Sequence, residues 1–455
     1  MQDGFCIRID AARCRGCVKC IRKCPTEAMR GNYGQVEIIE KLCIGCGECI
    51  SVCPYKAITL VQDDWETLKA QSNLSMLAGP TFHVQVGHCN RISYITNALK
   101  RVGFADTTEC LSLAFDISAY AIAKKIASKN KATPLISSFC PAVIRYIQIN
   151  HPELVNNIVD VDSPYETAAE YYREKNPDAS IVLVAQCPAV SSMKNSPVGR
   201  EKSNFTHVMN ISQVVKGLLA KGEKIEDLPP EVESCAHWLV WAASGGECRH
   251  ISEFSKDSPN MMVVSGMENI ATLLNEVELG RLACIDFVEC RACYKGCVGG
   301  VSASESRYLS LSRINSLNID WNISSEKIAM LEKLYEEGKW RMYKRIEPLP
   351  EQAPLSDDIS TAVSRLKLLK SIHASLPGFD CGSCGRPSCM AMAEEIVRER
   401  GEITDCIFKL NEKITLLSSE INKLCVKKNS PLSGLSFFER DVKDETSRSY
   451  RSSKS

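Results

Sequence analysis

Apolar positions along this chain change period several times, and each change marks a different kind of element. Between 78 and 315, short continuous apolar runs alternate with amphipathic stretches. The runs 134–138, 181–184, 261–264 and 285–288 read as strands buried on both faces, and 92–102, 117–128, 165–174 and 268–279 carry the helical period. Strands separated by helices predict an α/β core with parallel strands and flanking helices. From 316 to 357 a helical stretch over 325–344 gives way to Pro348, Pro350 and Pro354, which predicts a connector ending at a domain boundary. A helix over 358–375 follows. Ile403, Ile407, Leu410, Ile414, Leu417, Ile421 and Leu424 then recur in steps of four and three, an a/d seam over 403–426. Isoleucine at most a-type and leucine at d-type positions predicts a short parallel coiled coil, hence a homodimer; one helix folded back on its own module is the alternative. The polar stretch 427–455, rich in Ser, Lys and Arg, predicts a disordered tail.

Length alone suggests about three domains. The 55 basic and 55 acidic residues cancel, so no global field argues for nucleic acid or an acidic membrane surface as partner. No apolar run approaches the roughly 20 residues that cross a bilayer. Cysteine changes the picture most: there are 24, many in C-x2-C runs, and no apolar leader segment precedes the first of them. That combination predicts metal-ligating thiols in a reducing, cytoplasmic compartment, as in an anaerobe.

Residues 1–63 hold one cysteine pattern twice. Cys14-x2-Cys17-x2-Cys20-x3-Cys24-Pro25 is followed by Cys43-x2-Cys46-x2-Cys49-x3-Cys53-Pro54. The run resembles the bacterial two-cluster ferredoxins, in which each fourth cysteine ligates the other cluster. The resemblance implies a small α+β domain with one [4Fe–4S] cluster on Cys14, Cys17, Cys20 and Cys53, and a second on Cys43, Cys46, Cys49 and Cys24. A pair of zinc knuckles is the competing reading, and the C-x3-C-P endings are wrong for it.

Three predicted strands of the core end at or near a cysteine: Cys140, Cys187, and the loop Cys290-Arg291-Ala292-Cys293-Tyr294-Lys295-Gly296-Cys297. Open α/β sheets build sites beyond the carboxyl ends of their strands, so Cys140, Cys187, Cys293 and Cys297 predict a four-thiolate cage; the bland alternative is four thiols that hold nothing. Cys290 is close enough in sequence to substitute as a ligand for an altered metal. Farther on, Cys381-x2-Cys384-x4-Cys389-x16-Cys406 resembles the small helical [4Fe–4S] module of several anaerobic redox proteins, over 358–410, with zinc as the alternative. Cys6, Cys89, Cys110, Cys235, Cys248 and Cys284 show no ligand spacing and read as core thiols, and His88 and His237 as packed or surface residues.

The stretches Ile136-Ser137-Ser138-Phe139-Cys140-Pro141-Ala142-Val143, Gln186-Cys187-Pro188-Ala189-Val190 and Cys293-Tyr294-Lys295-Gly296-Cys297-Val298-Gly299-Gly300 resemble the catalytic domain of [FeFe]-hydrogenases, in particular the subgroup proposed to sense hydrogen. His151-Pro152-Glu153-Leu154, Asp162-Ser163-Pro164 and 195–202 add to it. The resemblance implies that the four cysteines hold a [4Fe–4S] cubane. It also implies that a thiolate at Cys297 bridges to a two-iron subcluster carrying CO, CN⁻ and a dithiolate. Several positions depart from the pattern. Phe139 stands where active members keep a proton-relaying cysteine, and Val190 where a lysine donates to a cyanide. Arg291 replaces a methionine, and Tyr294 and Lys295 replace small residues. A buried anionic group without a donor is costly, and hydrogen turnover needs a titratable group within reach. The expectation is therefore a protein with two to four [4Fe–4S] clusters and without the diiron subcluster. It would serve electron transfer or redox sensing between a redox protein donor or acceptor and a separate signalling or enzyme partner. An active hydrogenase or H2 sensor with an unusual pocket, and an electron-donating subunit of another enzyme, are the alternatives.

Overall fold

Ten strands build four small sheets in a computed structural model that describes residues 6–32, 34–69, 71–86, 92–128, 132–222, 237–317, 319–349 and 355–426. His88, Cys89, Cys235, Pro350, Pro354 and the predicted tail from Lys427 lie outside the described residues. Two compact units result, Met1–Pro354 and Leu355–Ser455.

At the start of the first unit, β1 (Ile7–Ile9) pairs antiparallel with β4 (Ile58–Leu60), and β2 (Met29–Asn32) with β3 (Gln35–Ile38). Short helices, Lys19–Lys23 and Glu48–Val52, lie within the two cysteine runs, each carrying the third cysteine and ending at the fourth. Ile7, Ile21, Met29, Val36 and Ile58 form the core between them. Two parallel three-stranded sheets come next. One has the order β5 (Leu74–Ala78), β7 (Ser180–Ala185), β8 (His207–Asn210); the other has the order β6 (Leu135–Ile136), β10 (Phe287–Arg291), β9 (Met261–Ser265). Inward residues of both sheets, Leu77, Leu183, Leu135 and Phe287 among them, share one apolar core with the helices Thr108–Ile126 and Pro164–Lys175. Met76, Val182 and Met209 bury the opposite face of the first sheet, and Val288, Cys290 and Ile136 that of the second.

The four predicted strands are present, while β5 and β8 show no clear pattern: Ser75 interrupts one, and His207 and Asn210 bound the other. The helix read as 117–128 starts nine residues earlier, at Thr108, because buried Asp116 breaks its apolar stripe. The helix read as 325–344 stops at Glu337, where Gly338 takes a left-handed C-cap at φ 78°. The stretch read as a connector lies on the core: Leu331 and Trp340 are fully buried, and the Trp340 carbonyl accepts from the Asp162 N–H at 2.8 Å.

In the second unit the helices Ile359–Ser375 and Cys389–Val397 bury Leu369, Met392, Ala393 and Val397 around Cys406. The last helix, Ile407–Val426, leaves Ile407, Leu410, Ile414, Leu417, Ile421 and Leu424 exposed along its length. Among the described residues no helix is long and apolar enough to cross a membrane.

Candidate metal centres

β6 and β7 deliver their cysteines in the same way. Each strand runs through a short loop to a cysteine that caps a helix and is followed by proline: Cys140 before Pro141–Asn150, and Cys187 before Pro188–Ser191. Proline has no N–H to lose at a helix start and its fixed φ suits the first turn. Each thiol therefore stands at the carboxyl end of a strand, beside unpaired helix N–H groups, and the Val190 and Ala189 N–H groups act on the Cys187 sulfur. β10 ends at Arg291, and the loop beyond it carries Cys293 and Cys297. Cys140, Cys187, Cys293 and Cys297 line one cavity of about 20 Å³. Burial pushes the Cys187 and Cys293 thiols far up, and the neighbouring thiols push further. Burial likewise raises Cys297, to about 11, against the pull of Arg291. Thiolates gathered this closely need soft cationic charge among them, and four sulfurs suit a cubane. The residues present fit such a group.

Cys46 lines the same cavity. It belongs to the second predicted ferredoxin set, and the thiols of Cys24, Cys49 and Cys43, the crossed combination, act on it. Cys14 and Cys17 act on Cys20. The fourth cysteine of each run is held alike: the Ala28 N–H donates to Cys24 Sγ at 3.2 Å, and the Ala57 N–H to Cys53 Sγ at 3.3 Å. Two glycines let the second ligand loop reach the central one. A Cβ on Gly45 (φ 70°) would stand 3.0 Å from the Ala189 backbone, and one on Gly47 (φ 82°) 2.7 Å from Val301. Cys6, read as an ordinary core thiol, donates across the same seam to the Pro188 carbonyl at 3.2 Å, and burial raises its pKa to about 11.

The other side of the central cage is filled by charge and aromatic rings. Side chains alternate along β10, so Glu289 and Arg291 share a face and Cys290 points the other way. Arg291 is 1% exposed. Its Nη2 lies 3.0 Å from Glu247 and its Nε 3.3 Å from Glu289. Burial alone would push the guanidinium down, but the two carboxylates hold it charged and above its ordinary value. Glu289 accepts from the Gly245 and Cys248 N–H groups at 2.8 and 3.0 Å, and Ser137 Oγ donates to Glu247 at 2.7 Å. Burial raises Glu247 to about 7, with Arg291 opposing and Glu289 adding to the shift. The Phe139 ring lies 4.0 Å from the guanidinium carbon, and Trp241 packs on Phe139 at 5.1 Å. Val190 lines the cavity, while Tyr294 and Lys295, expected to crowd it, are exposed. Cys290 sits in the apolar core with Ile136 and Val143, outside the cavity lining.

Behind Trp241 lies a group that the sequence did not suggest. The Trp241 Nε1–H donates to His250 Nδ1 at 2.9 Å, His250 Nε2 faces Asp116 at 3.1 Å, and Lys327 takes the other Asp116 oxygen at 2.5 Å. His237 approaches closely enough to complete a metal-like trio. Indole N–H can only donate, so His250 Nε2 carries the ring proton, close to Asp116. Protons and the Lys327 ammonium thus occupy the positions a metal would need. Of the other thiols read as core residues, Cys110 and Cys248 are buried, and Cys284 is exposed because it sits in the turn before β10.

In the second unit Cys381, Cys384, Cys389 and Cys406 line a cavity of about 20 Å³. Asp380 accepts from the Cys389 N–H at 2.6 Å, and Cys406 ends the turn that starts the last helix. Four thiols from a glycine-rich loop and a helix end fit a cluster here too.

Signals for the missed residues differ. Glu289 two places before Arg291 on an apolar strand puts two charges on one buried face, which alternation reveals. Glu247 and Trp241 lie in a stretch without period, and nothing local marks them.

Three families match parts of the chain. A 4Fe–4S dicluster family matches residues 6–73, an Fe–S cluster family residues 376–408, and the family "Iron only hydrogenase large subunit, C-terminal domain" residues 73–301. None of the curated proteins compared with the chain matches it. Among solved structures, a variant of the [FeFe]-hydrogenase of Chlamydomonas reinhardtii is similar at 16% identity and TM-score 0.47, over 61% of this chain and 94% of that one. An [FeFe]-hydrogenase solved in a study of oxygen damage to its two-iron subcluster is similar at 16% and TM-score 0.45, over 62% and 93%. The hydrogenase family match alone spans half of the sequence: the chain is an iron–sulfur protein that belongs to the iron-only hydrogenase large-subunit family.

Proposed function

We propose that this protein carries electrons through iron–sulfur centres and has given up the two-iron chemistry of its family. The observation that carries the reading is Arg291, buried against Glu247 and Glu289 beneath Phe139, beside the thiol of Cys297. That is the side on which the family resemblance puts the two-iron unit, and here it holds a salt-bridged side chain and four aromatic rings, Phe139, Phe115, Tyr165 and Trp241. No cysteine stands at Phe139 to move a proton and no lysine at Val190 to hold an anionic ligand. A [4Fe–4S] cube bound by Cys140, Cys187, Cys293 and Cys297 supplies one-electron storage. Cys46 in the same cavity wall brings the second ferredoxin set within contact of it.

Four cubes are the full complement under this reading, on the three ligand sets above and on Cys381, Cys384, Cys389 and Cys406. The protein takes electrons from, or gives them to, a soluble redox partner in the cytoplasm of an anaerobe. It reports the redox state to, or supplies, a separate protein. The exposed seam of the helix Ile407–Val426 supports a second copy as its cover, in a parallel coiled coil. Sedimentation of the full chain tests this; a monomer that keeps its helical content when Leu417→Lys is introduced sinks the coiled coil.

Anaerobic purification with iron and sulfide counting tests the main reading. About sixteen irons and no CO or CN⁻ infrared bands after maturation with a synthetic diiron complex are expected. Such bands would establish the hydrogenase alternative instead.

A further inference from the structure

Arg145 lies one turn into the helix that Cys140 caps, on the seam between the second ferredoxin set and the central cage. Its guanidinium is half-buried and held by neutral partners: Nη1 donates to Ser192 Oγ at 2.7 Å and Nη2 to the Ser196 carbonyl at 2.8 Å. Ser192 Oγ is itself fixed, donating to the Ala189 carbonyl at 2.8 Å, on the residue against which Gly45 packs. Among the described residues no carboxylate pairs with Arg145. The groups that would act on it, once ionised by a metal, are the sulfurs of Cys43, Cys6 and Cys187. Cys6 is spoken for, since its S–H donates to the Pro188 carbonyl. That leaves Cys43 and Cys187, one from each of two different cages.

A cation removed from water without a counter-ion is costly, and removing one partner of such a pair costs more than the pair is worth. Arg145 is only partly withdrawn from water and has only neutral partners, so anionic charge brought beside it would stabilise it. Tetrathiolate iron–sulfur cubes carry net negative charge, more so when reduced, and their potentials follow local charge and hydrogen bonding. We propose that Arg145 is the shared counter-ion of the second ferredoxin cluster and the central cluster, a positioning residue that raises both potentials together. It stabilises an added electron on either side of the seam and softens the repulsion between two reduced neighbours. Arg291 differs, because it has carboxylate partners and acts on Cys297 and Cys140 alone.

The inference rests on the multi-cluster reading above and is tested on the full chain, reconstituted and titrated anaerobically with paramagnetic resonance as the readout. The two signals are assigned by their loss in Cys46→Ser and in Cys293→Ser. Arg145→Gln is expected to move both midpoints negative, lowering the reduced-to-oxidised ratio of each cluster about tenfold at fixed potential. Arg145→Lys keeps the charge and restores most of that loss. Unchanged midpoints with a full iron complement, or a shift confined to one cluster, would overturn the proposal. Should Arg145→Gln fail to hold its iron, Ser192→Ala decides: it frees one arm of the guanidinium, and a smaller negative shift at both clusters is expected, with no shift overturning the assignment. A wild-type protein without the Cys293-dependent signal would instead sink the multi-cluster reading and leave Arg145 as a separate question.

Discussion

The two sides of the central cage obey different rules. On one side, Cys140 and Cys187 cap helices at strand ends, Cys46 closes the wall, and backbone passes within contact of backbone. On the other, Arg291, Glu247, Glu289, Phe139 and Trp241 fill the space with a salt-bridged and aromatic core. The first side has what a thiolate metal site would require, four sulfurs held on strand ends and tight loops. The second is filled by ordinary packing, in which a cation is tolerated because two carboxylates and a π face meet it.

Breaking the ligand side should have the largest effect. Cys293→Ser is expected to remove the iron of one cube, about four atoms of about sixteen, and leave the ferredoxin signals in place. An unchanged iron count would mean that the cage holds nothing. Breaking the packed side costs stability. Arg291→Met strands Glu247 and Glu289 together in the core, and a loss of about 3–5 kcal/mol is expected in denaturant unfolding at neutral pH. Adding Glu247→Gln and Glu289→Gln should recover most of it, and failure to recover would show that packing, not charge, holds this side.

The pH response sharpens the contrast. Burial lifts Glu247 from 4.5 to about 7, and Asp162 from 3.8 to about 7 against the pull of Arg200. An acid whose folded pKa is raised keeps its proton in the native state after the unfolded chain has lost it. Its contribution is complete below the unfolded pKa and disappears as pH rises through about 7. Thermal midpoints should therefore fall between pH 5 and 8, and Glu247→Gln should flatten that slope in part, leaving the Asp162 share. A variant with the full slope would remove Glu247 from the account. The smallest effect is expected behind the rings. Trp241→Phe deletes the hydrogen bond to His250 while keeping the packing, at about 1 kcal/mol, with the iron count unchanged; loss of iron would tie the two sides together.

Much of the ligand side was legible beforehand, because cysteine spacing and the strand-to-helix turn are local. The parallel strands β6, β7, β9 and β10 were visible as apolar runs for the same reason. The packed side was not. Phe139 and Arg291 stood out as unusual residues, but much of what meets them comes from Glu247 and Trp241, more than forty residues before Arg291 and more than a hundred after Phe139, in a stretch without period. Direction was the other gap: Tyr294 and Lys295 follow Arg291 closely in sequence, yet the loop turns them outward while the strand holds Arg291 in. Arg145 looked like any helical arginine until its neighbours were known.

Gly45 and Gly47, which press the second ferredoxin loop onto Ala189 and Val301, bear on how such a chain can be recombined. Modules joined by linkers can be exchanged between genes with little loss. Here one module's ligand loop is the wall of another's cage, and any side chain at either glycine would wedge the two apart. A foreign ferredoxin domain grafted in place of residues 1–63 would have to bring both glycines and the surface around them, so these two parts would have to be exchanged together.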